Sequence, residues 1–242
     1  MKSSNKGKDF CVFALPGLFC FLAVVMVPFI YGIYLTLTDW NGVSSVKNFV
    51  GLSNFAAVMR DAQFWKSLLL TFKYVIAVVV LVNVIAFLLA YILTRGIKGQ
   101  NFFRAGFFTP NLIGGIILGY IWQQMINAVL LKYETTLVAN PTYGFWGLII
   151  LMNWQMIGYM MIIYVAGLQN VPTDLIEAAE IDGATSLQTL FKVKIPMVMP
   201  SITICLFLTV SNSFKLFDQN LALTACAPSK KTAMPVSYTH LR

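Results

Sequence analysis

Residues 175–200, LIEAAEIDGATSLQTLFKVKIPMVMP, form a polar, acid-rich segment in a chain that is otherwise mostly apolar. Long apolar runs flank this segment on both sides, so it lies between two stretches that can each span a membrane. Four acids fall within nine residues, 174–182, which suits contact with a basic partner. An ordinary amphipathic loop with solvated acids has the same composition, and composition alone leaves both interpretations open.

The charged residues are scarce and segregated along the chain. Only 11% of the 242 residues are charged, against about 25% in a soluble domain. A bilayer core needs roughly 20 apolar residues of helix, whereas a spanning strand needs only about 10 residues of alternating polarity. The chain is therefore predicted to be an all-α, polytopic transmembrane helical bundle. Its uncharged runs include residues 10–38, 74–93, 105–131 and 195–214.

Five spanning helices are predicted from the apolar stretches of the sequence. Pro16 and Pro28 predict bends in the first helix, and Pro110 lies near the start of the third. Gly115 and Gly119 are spaced so that another helix can approach the third one closely. The predicted spans cover about residues 11–37, 67–93, 105–126, 145–168 and 197–217.

The distribution of basic residues predicts the orientation. With the N-terminus inside, eight Lys and Arg residues fall in inner segments and four in outer ones before the tail, as the positive-inside rule expects. The basic residues sit mainly at helix ends, where they meet membrane lipid, so the net charge of +8 does not indicate nucleic-acid binding. The predicted organisation is a cytoplasmic N-terminus (1–10), a first transmembrane helix (11–38), an extracytoplasmic segment (39–66), a core (67–217) with a cytoplasmic loop (170–196), and an atypical tail (218–242).

The acid-rich segment has the local signals of a helix, a sharp turn and a second helix at the membrane surface. Pro172 suits the first turn of a helix, and Asp174 and Glu177 fall early in it, where the helix dipole favours anions. Gly183 is placed to end that helix with a positive φ angle. Ser186 is the predicted cap of the next helix.

The same segment carries a spaced motif, which consists of Glu177, Ala178, Ala179, Gly183, Val193, Ile195 and Pro196. Its pattern is Glu-Ala-Ala, three residues, Gly, nine residues, a hydrophobic residue, one further residue, a second hydrophobic residue, and Pro. This motif resembles the cytoplasmic signature of ABC importer permeases. The wider context, about residues 10–224, is similar to sugar permeases of the maltose and glycerol-3-phosphate type. Further matching stretches are FVGLSNF (49–55), Phe64-Trp65, Arg104 with Pro110, and AGLQ (166–169).

The resemblance implies a permease subunit of an ATP-driven importer in a bacterial-type inner membrane. The acid-rich segment would be a coupling helix seated on an ATPase subunit, and carbohydrate would arrive from an extracytoplasmic sugar-binding protein. A second permease subunit would complete the pathway, and no cofactor is expected. The residues implied in ATPase coupling are Glu177, Ala178, Ala179, Asp182, Gly183, Ala184 and Pro196.

The absence of several motifs reduces the number of candidate functions. The sequence has no GxxxxGK[ST] phosphate loop, so ATP hydrolysis is expected in a separate subunit and the chain is not expected to be an enzyme. The apolar runs contain no paired carboxylates, which disfavours a proton-coupled transporter and a membrane hydrolase. The four cysteines lack metal-ligand spacing, so no metal site is expected. A secondary transporter or channel remains the alternative, and a membrane scaffold is a third hypothesis.

Asn153, Trp154 and Gln155 form the richest polar cluster within the predicted helices. A sugar could stack on the indole and hydrogen-bond to the amides, which makes these residues candidates for the substrate path. Hydrogen bonding between neighbouring helices is the other interpretation of such residues. The sequence does not identify the substrate.

The end of the chain departs from the family pattern. Such permeases usually continue with a Gly-rich turn and a further spanning helix, but Ala225 and Cys226 stand where glycines are expected. The residues from about Pro235 onward match no family pattern. The sequence therefore predicts a truncated or foreign tail and a missing last core helix.

Overall fold

The structure is a computed structural model that describes residues 12–44 and 47–224. The chain divides into two compact units, Met1–Ala62 and Gln63–Arg242. The expectations for residues 1–10 and for the tail from residue 225 onward concern positions outside the described residues. Within the described part the regular structure is helical apart from one isolated bridge, which confirms the predicted all-α class.

The first unit contains helix α1, Leu15–Thr36. Pro16 lies in the first turn of α1, where it begins the helix rather than bending it. Pro28 follows a wider π-helical turn, Leu22–Met26. Since a proline ring clashes with the carbonyl four residues earlier, a widened turn at this place accommodates Pro28 without ending the helix.

The segment after α1 is held by contacts that its polar composition did not predict. Thr38 and Phe49 form an isolated antiparallel bridge. Next to it, the Asp39 carboxylate accepts hydrogen bonds from the Asn48 side chain at 2.9 Å and from the Asn48 backbone N–H at 2.8 Å. These two bonds hold the pKa of Asp39 below its usual range, and the bond from the Asn48 side chain has the larger effect.

A short helix, α2 (Ser53–Arg60), lies inside this predicted polar segment. Asn54 near its start donates hydrogen bonds through Nδ2 to the carbonyl oxygens of Thr36 and Thr38, at 2.9 Å and 2.8 Å. The end of α1 and the start of α2 are therefore joined directly, because one amide group satisfies two carbonyls at the end of α1.

The second unit contains the remaining spanning helices. In the described residues, four helices are long and apolar enough to cross a membrane, and a bent pair makes up to five. The helices after α2 are α3 (Ala62–Leu93), α4 (Gln100–Phe108), α5 (Gly115–Leu130), α6 (Pro141–Gln169), α7 (Thr173–Ile181), α8 (Ser186–Phe214) and α9 (Phe217–Thr224).

The third predicted span is broken, and the prediction of one continuous helix there is wrong. Gln100–Leu112 and Gly115–Tyr133 meet at an angle of 101°. Ile113 and Gly114 between them have ψ angles of 130° and 138°, which are outside the helical region. Pro110 lies in a 3-10 turn just before the break and cannot donate a backbone hydrogen bond, so the helix is already weakened there.

Helix α6 is the centre of the second unit. Two thirds of its spanning window are buried, against one third for α3 and less for α8. Helix α4 crosses α6 at Gly158, where an added Cβ atom would overlap the Phe107 carbonyl. The absence of a side chain therefore allows the two backbones to touch.

Helix α9 packs against α5, and their contact uses the glycine spacing noted in the sequence. A Cβ atom at Gly119 would overlap the side chain of Ala222, and one at Gly115 would lie 3.1 Å from Gln219 Nε2. The prediction that a helix approaches this face closely is confirmed. The predicted fifth span (197–217) is wrong at its end, since α8 stops at Phe214 and α9 is separate.

Candidate functional site

Helix α7 carries the first half of the signature, directly after α6 ends. Pro172 is the residue before its first turn, with ψ of 133°, and Asp174 lies within that turn. Because an extended residue cannot continue α6, the chain changes direction at Pro172. The predicted helix start is therefore confirmed to within one residue.

The turn after α7 is built as the sequence predicts. Gly183 has a φ angle of +75°. Its N–H donates to the Glu180 carbonyl at 3.0 Å, and the Ala184 N–H donates to the Ala179 carbonyl at 2.9 Å. This pair of bonds is a Schellman motif, in which a left-handed residue closes the helix and satisfies its last carbonyls.

The next helix begins at a different cap from the predicted one. Thr185, not Ser186, precedes the first turn of α8: its Oγ1 accepts from the Gln188 N–H at 3.3 Å, and its own N–H donates to Gln188 Oε1 at 2.7 Å. This reciprocal pair is a capping box, which needs Gln or Glu three residues after the cap. The sequence offers that spacing for Thr185 and not for Ser186, so the capping-box pattern favours Thr185.

The second half of the signature belongs to the last long helix. Helix α8 runs from Ser186 through a π-helical turn, Leu190–Lys194, into the stretch that contains Pro196. The expectation of a separate second helix lying on the membrane surface is therefore wrong. A π-helical turn leading into Pro196 lets the helix continue, because it relieves the contact between the proline ring and the preceding turn.

Helix α7 has an inner and an outer face. Ile176 is half-buried and packs against the hydrophobic core, with Ala179 half-buried on the same side. Glu177 and Ala178 are exposed, and Ile181 is 86% exposed. Of the other signature residues, Asp182, Gly183 and Pro196 are exposed and Ala184 is half-buried. The outer face therefore presents acidic and apolar groups together, with no covering element among the described residues.

A polar cavity of about 370 Å³ lies between α6, α8, α9 and the 3-10 turn Thr109–Leu112 that follows α4. Gln155 Nε2 donates to the Ile113 carbonyl at 3.3 Å, and Gln219 Nε2 donates to Gln155 Oε1 at 3.3 Å. The Ile113 carbonyl is available because the helix is broken there. Gln219 Oε1 is buried with no hydrogen-bond partner among the described residues. The polar residues that line the cavity are Asn111, Gln155, Tyr159, Asn212, Lys215 and Gln219.

The three residues considered for a substrate path lie in different surroundings. Gln155 lines the cavity. Asn153 is buried and donates to the Ile149 carbonyl at 2.8 Å, and Trp154 packs edge-on against Trp122 at 5.5 Å. Neighbours in a helix point about 100° apart, so adjacency in sequence does not bring them to one cavity.

The comparisons with known proteins agree with this architecture. Residues 99–226 match the family described as "Binding-protein-dependent transport system inner membrane component". The probable starch degradation products transport system permease protein AmyD of Thermoanaerobacterium thermosulfurigenes is 46% identical over 241 residues, which cover 96% of this chain and 82% of that protein. The multiple sugar-binding transport system permease protein MsmF of Streptococcus mutans is 32% identical over 214 residues, covering 85% of this chain and 74% of that protein.

The fold also matches a solved structure. The crystal structure of a bacterial ABC transporter involved in the import of the acidic polysaccharide alginate aligns with a TM-score of 0.75 and 18% identity, covering 97% of this chain and 81% of that one. The fold and the family match together define an ABC importer permease. The chain belongs to the binding-protein-dependent transport system inner membrane component family, and it is a multi-pass protein of the inner membrane.

Proposed function

We propose that this permease subunit moves a carbohydrate that an extracytoplasmic binding protein delivers, and that it is driven by separate ATPase subunits through α7. The proposed coupling to the ATPase is supported by the outer face of α7, which is exposed. The C-terminal end of this helix is held in place by local hydrogen bonds. A Schellman motif closes α7, and a capping box opens α8 two residues later. A force applied to α7 is therefore passed to the spanning helices α6 and α8.

Coupling requires that the ATPase contacts the two permease conformations differently, since a partner that contacts both equally moves nothing. Helix α7 suits that role because it connects α6, the most enclosed span, with α8. Glu177, Ala178, Ala179, Asp182, Gly183, Ala184 and Pro196 are the proposed coupling residues.

The carbohydrate part of the proposal is supported by two relatives and by the cavity. AmyD and MsmF are named for starch degradation products and multiple sugars. The lining of the cavity includes four amide side chains and the Tyr159 hydroxyl, which can donate and accept hydrogen bonds as sugar hydroxyls require, together with Lys215 and two methionines. A second permease subunit would close the other side of the pathway. The alternative function, that of a channel or secondary transporter, has no support from the family match.

Cross-linking tests the coupling surface with a matched pair of variants. Ala178→Cys lies on the outer face of α7, whereas Ala139→Cys lies just before the opposite end of α6. Both alanines are exposed, and α6 has 29 residues, which is a length of about 43 Å. In membrane vesicles with the native cysteines replaced by serine, Ala178→Cys should cross-link to an ATPase subunit and Ala139→Cys should not. Equal cross-linking of both, or of neither, contradicts the coupling assignment.

Reconstitution tests the substrate class. The chain is placed in proteoliposomes with its second permease, ATPase and binding protein, and uptake of labelled oligosaccharides is measured with and without ATP. We expect ATP-dependent uptake of an oligosaccharide. Uptake that continues without ATP or without the binding protein would contradict the proposal.

A further inference from the structure

A second cavity, of about 260 Å³, lies behind the signature helix. It is bounded by the end of α3, the inner side of α7 and the first turns of α8. Tyr91 lies in the last turn of α3, and Arg95 follows two residues after that helix ends. Glu180 comes from α7, and Ser186 and Lys194 come from α8. The polar cavity lined by Gln155 and Gln219 shares none of these residues, so the two cavities are separate.

Two cations are fixed around one aromatic ring at this cavity. Arg95 Cζ lies 4.5 Å from the centroid of the Tyr91 ring, and Lys194 Nζ lies 5.5 Å from it. Arg95 Nη2 also donates a hydrogen bond to the Tyr91 hydroxyl at 2.7 Å. Cation–π contacts of this length are attractive and restrict both side chains. Both positive groups therefore border the same ring and the same cavity.

The cavity also contains one carboxylate, which does not neutralise the cations by contact. No ion pair within 4 Å joins Arg95, Lys194 or Glu180 to any residue that the structure describes. Two positive charges and one negative charge thus line one cavity, with no ion pair among them. A ligand that carries a negative and a positive group would satisfy all three at once.

The cavity lies where two spans leave the apolar layer. Tyr91 is in the last turn of α3, and Lys194 immediately precedes the uncharged run that begins at Ile195. Tyrosine and basic residues at such positions occupy the level of the lipid head groups. The chemistry available at that depth includes phosphate esters and amines of phospholipids.

We propose that this cavity binds a zwitterionic phosphoethanolamine group, supplied by the head group of phosphatidylethanolamine or by a soluble phosphoethanolamine. The phosphate lies between Arg95 and Lys194, with the Ser186 hydroxyl as a further donor. The ammonium group donates to the Glu180 carboxylate. A choline head group lacks N–H donors for Glu180, and an anionic glycerol head group brings no cation to it. This binding site is additional to transport and does not depend on the identity of the transported substrate.

Lipid retention by the full chain tests the site directly. The protein is purified in phosphatidylcholine nanodiscs with equal minor fractions of phosphatidylethanolamine and phosphatidylglycerol, and retained lipid is counted by native mass spectrometry after release into detergent. We expect one retained phosphatidylethanolamine per chain. Arg95→Gln and Lys194→Gln should each lower its occupancy about tenfold, the effect of one lost charge-assisted contact.

Two exposed cations of the same region provide matched controls. Lys98→Gln and Lys192→Gln make the same charge change at residues that do not line the cavity, and they should leave retention unchanged. Glu180→Gln should shift the preference from phosphatidylethanolamine toward phosphatidylglycerol, because it removes the group that selects the amine. Arg95→Lys keeps the charge and should retain the lipid, which separates binding from a folding defect; helical circular dichroism checks the fold of each variant.

Competition identifies the source of the group. Free phosphoethanolamine that displaces the lipid supports the site and shows that the head group alone is sufficient. Failure to displace, with the variant effects intact, supports the site and identifies phosphatidylethanolamine as the ligand. The proposal is overturned if Arg95→Gln and Lys194→Gln retain as much lipid as the two controls, or if Glu180→Gln leaves the lipid preference unchanged.

Discussion

The Tyr164 hydroxyl donates a hydrogen bond to Asn83 Oδ1 at 2.7 Å, joining α6 to α3 in the middle of the second unit. The same amide donates through Nδ2 to Thr209 Oγ1 of α8 at 3.3 Å and to the Val79 carbonyl at 2.8 Å. The side chains of Asn83, Tyr164 and Thr209 are buried. One asparagine therefore connects the three long helices of this unit, and its amide is used on both the donor and the acceptor side.

Tyr164→Phe should lower the stability of the helical unit. The change removes one buried hydrogen bond and leaves Asn83 Oδ1 without a partner, which costs about 1–2 kcal/mol. Thermal unfolding in detergent measures the loss. Tyr120→Phe is the control, because Tyr120 is 54% exposed; an equal loss in both variants would contradict the role of the Asn83 network.

Gly158→Ala should be far more disruptive than its small size suggests. The new methyl group would overlap the Phe107 carbonyl, so α4 and α6 would have to separate at a cost of about 1–3 kcal/mol or more. Gly106→Ala in α4 is the matched control, since nothing lies within 4 Å of a Cβ atom there. That variant should be neutral or slightly stabilising because alanine favours helix. Detergent unfolding and yield of folded protein are the measurements, and similar behaviour of the two variants would disprove the close crossing.

Replacements of Gly183 should separate backbone strain from loss of space. No atom lies within 4 Å of a Cβ atom at Gly183, but its φ of +75° disfavours most side chains. Gly183→Asn should therefore keep ATP-dependent uptake close to that of the parent, whereas Gly183→Val should reduce it severely, because a β-branched residue in this region costs about 1–3 kcal/mol. Uptake and co-purification with the ATPase are measured together. If both variants behave alike, the left-handed turn is not what α7 requires.

A polar residue of the cavity lined by Gln155 and Gln219 should affect the rate of uptake rather than the apparent affinity. Asn212 lines the cavity, and its neighbour Ser211 does not. Asn212→Ala should lower the maximal uptake rate by about tenfold, the effect of losing one hydrogen bond to the moving substrate. The apparent KM should change little, since the binding protein captures the substrate first. Ser211→Ala should match the parent, and a rate loss in Ser211→Ala alone would contradict the assignment of the cavity.

The loop around Asp39 should lose its order in acid. Because the pKa of Asp39 is lowered in the folded loop by the Asn48 hydrogen bonds, the stabilisation is present above the ordinary carboxyl pKa of about 3.9 and is lost as pH falls through the lower, folded value. Amide-exchange protection of Asn48 and Val50, corrected for intrinsic rates, should therefore fall below about pH 4. Asp39→Asn should have weaker protection with no such pH dependence. Unchanged protection of the parent at pH 2 would contradict the prediction.

The class of the protein and the local shape of its signature were determined by the sequence itself. Spans follow from uncharged runs, because a bilayer tolerates few charges wherever they occur. The turn at Gly183 follows from residues within five positions of one another, since both Schellman bonds are that local. The same is true of the capping box at Thr185, because both of its hydrogen bonds join residues only three positions apart.

The cavities and the helix crossings were decided only by the tertiary structure. Gln155 meets Gln219 across 64 positions, and Tyr164 meets Asn83 across 81. Local periodicity contains no information about such pairs. Asn153 and Trp154 are neighbours of Gln155 in sequence, but the helix directs their side chains away from the cavity that Gln155 lines. The break at Ile113 and Gly114 is likewise decided by the tertiary structure. An apolar run is compatible with a straight or a broken span, and the long-range packing of α4 on α6 and of α5 on α9 decides between them.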